Sequence, residues 1–400
     1  MTMHAAPIIQ DLLREGCPSI HAKRRKCIAD LVEAGRTSGL TLIGMSRVLN
    51  RPMSVRHRLK CCDRLLSNPH LVEERFDIYR AMNERVLARQ ESVVVNVSID
   101  WSDLFPDRRA VLLRAAVTVA GRSSTVYQEV HPGNELGSRD VHRQFLIELK
   151  KVLPDLCRPI LITDAGFRAT WFQLADELHF PWVGRVRNLD MVRPTDSSEW
   201  VGAKTLYEQA TGRAKDLGLF TYARSNPTDC RLVIIKRKKK GRHQRTKMGK
   251  PCCSSHAKKS RSAQIEPWLL ATSKSLSSVS ATRIVAIYSG RMQIEQTFRD
   301  TKNPRSGLGL ANSQTKKVVR LEVLVLLGAL ITYTLWLIGL AVKKRGYDVT
   351  YGSKKRASTT LSIVSLGLHC LNEVPQRCLS KRELKDALSE LVSMVVSIEI

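Results

Sequence analysis

Between Ala281 and Asn303 the chain reads ATRIVAIYSGRMQIEQTFRDTKN, and four of its side chains have the types and spacing suited to chemistry on a phosphodiester. Read as one α-helix turning about 100° per residue, the stretch brings Tyr288, Arg291, Glu295 and Lys302 into one narrow arc. One acid among three phosphate-holding groups points to a nucleic-acid backbone as the substrate. Ile287, Ile294 and Phe298 fall beside that stripe, so such a helix rests on a core and still turns its polar row to a cleft. Ser280 or Thr282 is the expected cap, and Pro304 makes Asn303 the expected end. The bland alternative is an i,i+4 salt bridge between Arg291 and Glu295 on a solvated face, worth roughly 0.2–0.5 kcal/mol.

The order Tyr, two residues, Arg, three residues, Glu, six residues, Lys resembles the Y-R-E-K signature of the cut-and-paste transposases of bacterial insertion sequences. That family works through an Asp-Asp-Glu metal site on a ribonuclease-H-like fold. The resemblance therefore demands two acids upstream of Glu295, each at the end of a buried strand.

The first is found at the end of Ser92-Val-Val-Val-Asn-Val-Ser-Ile-Asp100, a run with the β-branched density of a buried strand. Val111 to Ala120 and Thr125 to His131 read as two more strands around the turn at Gly121, which makes an antiparallel meander. A carboxylate at a strand's end is held rigidly, as a metal ligand must be. Asp103 is the nearest competitor. Asp100 is preferred because it directly ends the predicted strand and occupies the position the resemblance assigns to the first acid.

The second acid follows an amphipathic crossover helix over Ser138 to Leu153. Pro159-Ile-Leu-Ile-Thr-Asp164-Ala-Gly166 is a short apolar strand ending in Asp164, with a helix over Thr170 to Leu178 and a strand near Trp182 to Val186 behind it. In such α/β arrangements the site lies at the carboxyl ends of the strands. For Asp100 and Asp164 alike, capping a turn is the simpler role. Taken with Glu295, their order along the chain matches a ribonuclease-H-like core.

The rest of the sequence bounds what these acids serve. The 400 residues are 43% hydrophobic, enough for several packed domains, and carry 65 Lys and Arg against 37 Asp and Glu. A formal charge of +28 makes a polyanion the expected partner, double-stranded DNA first and an anionic membrane second. The ten cysteines include no C-x-x-C pair, so reduced thiols are expected; Cys252, Cys253 and His256 are the one local grouping that a metal can share. No long apolar stretch opens the chain as a secretory signal would.

Residues 1–90 read as a helical DNA-binding domain. A basic cluster at His21-Ala-Lys-Arg-Arg-Lys26 opens a helix, and Leu40 to Leu49, a turn through Pro52, and Val55 to Leu66 have a helix-turn-helix silhouette. A plain helical bundle with a basic face fits the same pattern. Residues 91–187 and 266–345 are the expected halves of the catalytic core, with 188–265 as a basic, β-rich insertion whose strands fall near Val201 to Leu206, Leu217 to Ala223 and Arg231 to Ile235. Lys236 to Arg261 lacks any acid and is expected to lie on DNA backbone, which makes binding steeply salt-dependent.

The strand Ile265 to Ser273 returns the chain to the core. In the resembling family a Trp in a similar W-L-L-x-T-S strand receives a base flipped from the DNA end, which assigns base stacking to Trp268. Close relatives often have a second Trp after the signature Arg; here it is Met292, which can still wedge into a base step.

Val323 to Val342 is twenty residues without a charge and meets the length criterion for a membrane span. Basic residues flank it on both sides, so it carries no orientation signal, and following the Glu295 helix it reads as a central buried helix. No membrane partner is expected. Residues 346–400 form a helical C-terminal region whose apolar row Leu384, Leu388, Leu391, Val392 and Val395 packs internally or on a partner helix. The resemblance implies a homodimer on paired DNA ends.

The expected fold is α/β, a ribonuclease-H-like core with a β-rich insertion between helical N- and C-terminal domains. The resemblance implies two Mg²⁺ ions, replaceable by Mn²⁺, on Asp100, Asp164 and Glu295, with Tyr288, Arg291 and Lys302 on phosphates. It implies nicking, a DNA hairpin, hairpin opening and strand transfer in the cytoplasm at the nucleoid, without a covalent protein–DNA intermediate. A structure-selective nuclease on the same fold and a non-catalytic DNA-binding regulator are the two competing readings.

Overall fold

The computed structural model describes residues 5–88, 93–187, 190–237, 252, 254–255, 266–305, 307–351, 361–373 and 379–395. Most of the basic run after Arg237, with Cys253 and His256, lies outside the described residues. The chain divides into two compact units, Met1–Pro159 with Arg291–Glu399, and Ile160–Gly290.

In the first unit five helices come first: α1 (Ala5–Gly16), α2 (Ala22–Ser38), α3 (Leu42–Val48), α4 (Val55–Leu66) and α5 (Leu71–Leu87). Thr41 and Ser54 cap α3 and α4 by accepting from Gly44 and His57 backbone N–H groups, so the predicted turn at Asn50 to Ser54 separates two capped helices. Strands β1 (Val93–Asp103), β2 (Ala110–Thr118) and β3 (Ser123–Pro132) then form the antiparallel meander, in spatial order β3-β2-β1. One expectation is corrected: β1 does not end at Asp100 but runs on to Asp103, because Trp101, Ser102 and Asp103 keep pairing with Leu113, Leu112 and Val111. α6 (Arg139–Val152) follows and packs on β3 and α5.

Gly290 and Arg291 interrupt the helix expected over Ala281 to Asn303. Two helices stand there, α8 (Ala281–Ser289) in the second unit and α9 (Met292–Lys302) in the first. Ser280 caps α8 as expected, while the Gly290 N–H turns to the carbonyls of Ile287 and Tyr288 and ends it.

α10 (Val318–Lys344) is the apolar run, and every residue from Leu321 to Val342 except Thr332 is buried. A helix without a polar stripe needs neighbours all round. It has them in α2, in the edge strand β3, and in α12 (Ile363–Glu373) and α13 (Lys381–Met394), which follow the short α11 (Tyr347–Tyr351). Against β3 the contact is polar. Gln128 Nε2 donates to the Val325 carbonyl at 2.8 Å and the Val130 N–H to Glu322 Oε1 at 2.6 Å, so α10 covers the sheet edge. On α13 Ala387 and Leu391 are buried, and the helix packs on α10 and α5 of its own chain.

The second unit takes in β4 (Cys157–Thr163) from Ile160 onward, α7 (Ala169–Glu177) and β5 (Trp182–Val186), with β4 and β5 parallel. Beside β5 come β10 (Trp268–Thr272), β9 (Thr228–Ile235), β8 (Lys215–Tyr222), β6 (Met191–Pro194) and β7 (Val201–Gly202), all antiparallel to their neighbours. The strand expected over Val201 to Leu206 is two residues long and passes into a 3-10 turn, Ala203–Gln209. The remaining strands near 188–235 extend the same sheet as β5 and β10.

Candidate active site

Alternation along β1 puts Ser98, Asp100 and Ser102 on one face of the meander and Ile99 and Trp101 on the other. α9 lies over the Asp100 face and is fastened there by side chains four residues apart. Gln293 Oε1 accepts from the Val119 N–H at 3.1 Å, Thr297 Oγ1 from the Ser123 N–H at 3.0 Å, and Thr301 Oγ1 meets Arg114 Nη2 at 3.3 Å. Arg114 stands opposite Asp100 in the strand register and is fully buried, its guanidinium on Gln128 Oε1 at 2.7 Å and over the Phe298 ring; burial lowers its pKa to about 10. The row Gln293, Thr297, Thr301 is an i,i+4 repeat that the sequence analysis did not single out.

This seating brings two of the candidate acids to one cation. Arg291 Nη1 donates to Asp100 Oδ2 at 3.1 Å and Nη2 to Glu295 Oε1 at 3.0 Å. The i,i+4 pair of the bland reading is thus present, but the guanidinium also holds a residue 191 positions away, which a solvated helix face does not need. The Asp100 side chain is 14% exposed and that of Arg291 10%, whereas Glu295 keeps 41% and turns to solvent. Asp103, the competitor, pairs with the exposed Arg108 at 3.3 Å.

Lys302 anchors the far end of α9. Its Nζ donates to Ser102 Oγ at 2.9 Å and to the Asp103 carbonyl at 3.0 Å, and burial lowers its pKa. On the opposite face Trp101 Nε1 donates to His142 Nε2 at 3.0 Å; burial pushes His142 down to about 4, so it stays a neutral acceptor and fixes the residue next to Asp100. Met292 is exposed, with its sulfur 3.5 Å from Arg291 Nη2.

The second unit holds the other candidates. Asp164 follows β4 at its carboxyl end, half-buried, and its Oδ1 accepts from the Gly166 N–H at 2.7 Å. Trp268 opens β10, with the Tyr288 ring edge-on at 4.9 Å and the Arg237 guanidinium over it at 4.4 Å. Glu266 accepts from Arg185 Nη2 and from the Tyr207 hydroxyl, each at 3.3 Å, with Arg187 Nε at 3.5 Å. Tyr288 is buried. The sequence reading missed Arg185 and Arg187 beside Glu266 and Arg237 over Trp268, contacts between residues far apart along the chain. Among the described residues no three His, Cys, Asp or Glu side chains are gathered into a metal-holding cluster.

The fold is mixed α/β, with Asp100 on a strand, Asp164 after one and Glu295 on a later helix. Residues 107–333, more than half of the chain, match the family model described as Transposase DDE domain, and the chain belongs to that family. The match spans Asp164 and Glu295 and begins shortly after Asp100. No curated protein matches the chain at a significant level.

Proposed function

We propose that the protein is the transposase of an insertion sequence, which binds the element's terminal inverted repeats, excises it by metal-dependent phosphodiester cleavage through a DNA hairpin, and joins its 3′ ends to target DNA. The observation that carries this reading is the convergence of Asp100 and Glu295 on the single guanidinium of Arg291. Two hard carboxylates that address one cation suit a divalent ion of the Mg²⁺ type. Asp164, after β4, is proposed as the third ligand on a ribonuclease-H-like core. When bound, a pair of such ions activates the attacking water or 3′-hydroxyl and stabilises the leaving oxygen.

The chain's own residues supply position. Released from the acids, Arg291 offers a planar donor pair to a terminal phosphate, and Lys302 offers a second charge at the end of β1. Tyr288 is a contact and not a nucleophile. Trp268, already flanked by a guanidinium and a phenol ring, is suited to stack on an unpaired base, with Met292 as the exposed apolar neighbour of the site. Two copies on paired ends, acting in the cytoplasm, complete the proposal.

The test is processing of a labelled fragment carrying the element's own end, with Mg²⁺ or with chelator, beside Glu295→Gln. A hairpin product that needs the ion and is absent in the variant is expected. Cleavage without joining of precleaved ends to a plasmid would convert the reading to a nuclease, and binding without any cleavage would overturn it.

A further inference from the structure

A cleft of about 750 Å³ opens between the start of α2 and α4, lined among others by Lys23, Cys27, Arg51, Lys60, Cys61 and Arg64. Two thiols face each other in it, Cys27 Sγ and Cys61 Sγ at 3.8 Å. Nothing in the proposed DNA chemistry uses them. Arg51 Nη1 donates to Cys61 Sγ at 3.0 Å, and the same guanidinium is fixed by two bonds to Asp30 Oδ2 on α2, from Nε at 3.0 Å and from Nη2 at 2.6 Å. A thiol held beside an immobile cation and open to a basic cleft has the surroundings of a reactive cysteine, while a thiol packed in apolar core does not. Cys62 next in sequence is that second kind, fully buried.

We propose that Cys27 and Cys61 are a dithiol site for small anionic disulfides, oxidised glutathione being the type, which converts them to an intramolecular disulfide joining α2 to α4. The Cys61 sulfur, held beside the Arg51 guanidinium, gives up its proton, attacks one sulfur of oxidised glutathione and expels the first glutathione thiolate. The Cys27 sulfur, losing its proton, then attacks the Cys61 sulfur of the mixed disulfide and expels the second. One protein S–S bond forms and one glutathione S–S bond breaks. Two cysteines are oxidised by two electrons, and their two protons go to the two glutathione thiolates. The order of attack follows from the environments: burial, and then the neighbouring Cys61, push the Cys27 thiol up to about 12, so it reacts second. Bond formation needs the sulfurs to approach by about 2 Å from their present 3.8 Å, to the ~2.05 Å of a disulfide. Lys23, Lys60 and Arg64 at the cleft give the carboxylates of glutathione an attractive approach.

The test uses the full chain incubated with oxidised glutathione, alkylated, cut with trypsin and mapped by mass spectrometry without reduction. Cleavage after Lys26 and Lys60 releases peptides beginning at Cys27 and at Cys61. These are expected as one linked species, lost on reduction with dithiothreitol and retained in Cys62→Ser. In Cys27→Ser, Cys61 is expected to keep one glutathione. Alkylated Cys27 and Cys61 after incubation, a Cys61–Cys62 bond, or loss of the link in Cys62→Ser would each overturn the proposal. In the wild-type map, fragmentation of the linked Cys61–Arg64 peptide, which holds both Cys61 and Cys62, assigns the bond even where a variant folds poorly.

Discussion

Arg291 Nη1 lies 3.1 Å from Asp100 Oδ2, and this contact joins the start of α9 to the middle of β1. The same guanidinium holds Glu295, so on the proposed reading ion and arginine would compete for the two acids. Arg291→Ala removes the charged partner of the part-buried Asp100 carboxylate, which keeps the Trp101 N–H at 2.9 Å, at an expected cost of about 1–3 kcal/mol without divalent ion. Added Mg²⁺ or Mn²⁺ should raise the melting temperature more in the variant than in the wild type, since ligand binding stabilises the folded state by mass action. Equal shifts in a thermal melt would mean that Asp100 and Glu295 do not hold the ion.

Lys302 is tied to Ser102 and to the Asp103 carbonyl, so its charge also fixes the strand end. Lys302→Met removes both bonds and should lower urea stability by about 1–3 kcal/mol. If the same amine also holds a terminal phosphate, the salt slope of binding to the element's end falls by about 1. An unchanged slope with lowered stability would leave it a purely structural lysine.

On α4, Arg56, Lys60 and Arg64 are exposed at i,i+4 spacing and form a basic row. Replacing all three by alanine should reduce the slope of log K against log salt by about 2 to 3, because each phosphate contact contributes roughly 0.9. A filter-binding series from low to moderate salt measures it. A slope that does not move would assign the DNA contact elsewhere.

Much of this arrangement was legible because local chemistry and tertiary need agreed. Val55 to Leu66 and Trp182 to Val186 are found at their predicted bounds, one between a capping serine and a polar turn, the other directly after a proline. The unbroken apolar run satisfied a membrane criterion and a buried-core criterion equally, and only its neighbours decide. Two features were illegible for a physical reason. At the break Gly290 and Arg291 both keep helical dihedrals, and the helix-period pattern continues through the glycine, so a single helix fits the sequence as well as two. The continuation of β1 past Asp100 depends on pairing with β2, a non-local term that no property of Trp101 or Ser102 reports. The Cys27–Cys61 contact likewise joins residues 34 positions apart.

Helices α10 and α12 approach backbone to backbone through two glycines. A Cβ on Gly339 would lie 2.1 Å from the Ile363 carbonyl oxygen, and one on Gly367 would lie 2.5 Å from that of Leu335. Gly339→Ala gains up to about 1 kcal/mol of helix propensity. It must also push α12 away, and overpacking against rigid backbone costs typically 1–3 kcal/mol. Net destabilisation is therefore expected in urea unfolding, and a stabilised variant would refute the close crossing.

His131 supplies a pH-dependent test of the meander. Burial opposes charge on its ring, but Glu129 Oε2 at 3.0 Å from Nε2 and Glu135 Oε2 at 3.1 Å from Nδ1 outweigh it, with Glu322 adding to them, and its pKa is raised above 6.5. The ring of Trp101, next to Asp100, meets His131 edge-on at 5.8 Å, so this charge is lodged behind the candidate site. The folded state binds the proton more tightly than the unfolded chain. The contribution to stability is therefore complete below the unfolded value and is lost as pH rises through the folded one. His131→Gln should cost more stability at about pH 6 than at about pH 8.5, read from urea midpoints of both proteins at each pH. A deficit that stays constant, or grows with pH, would show that the imidazole is not charged between its two carboxylates.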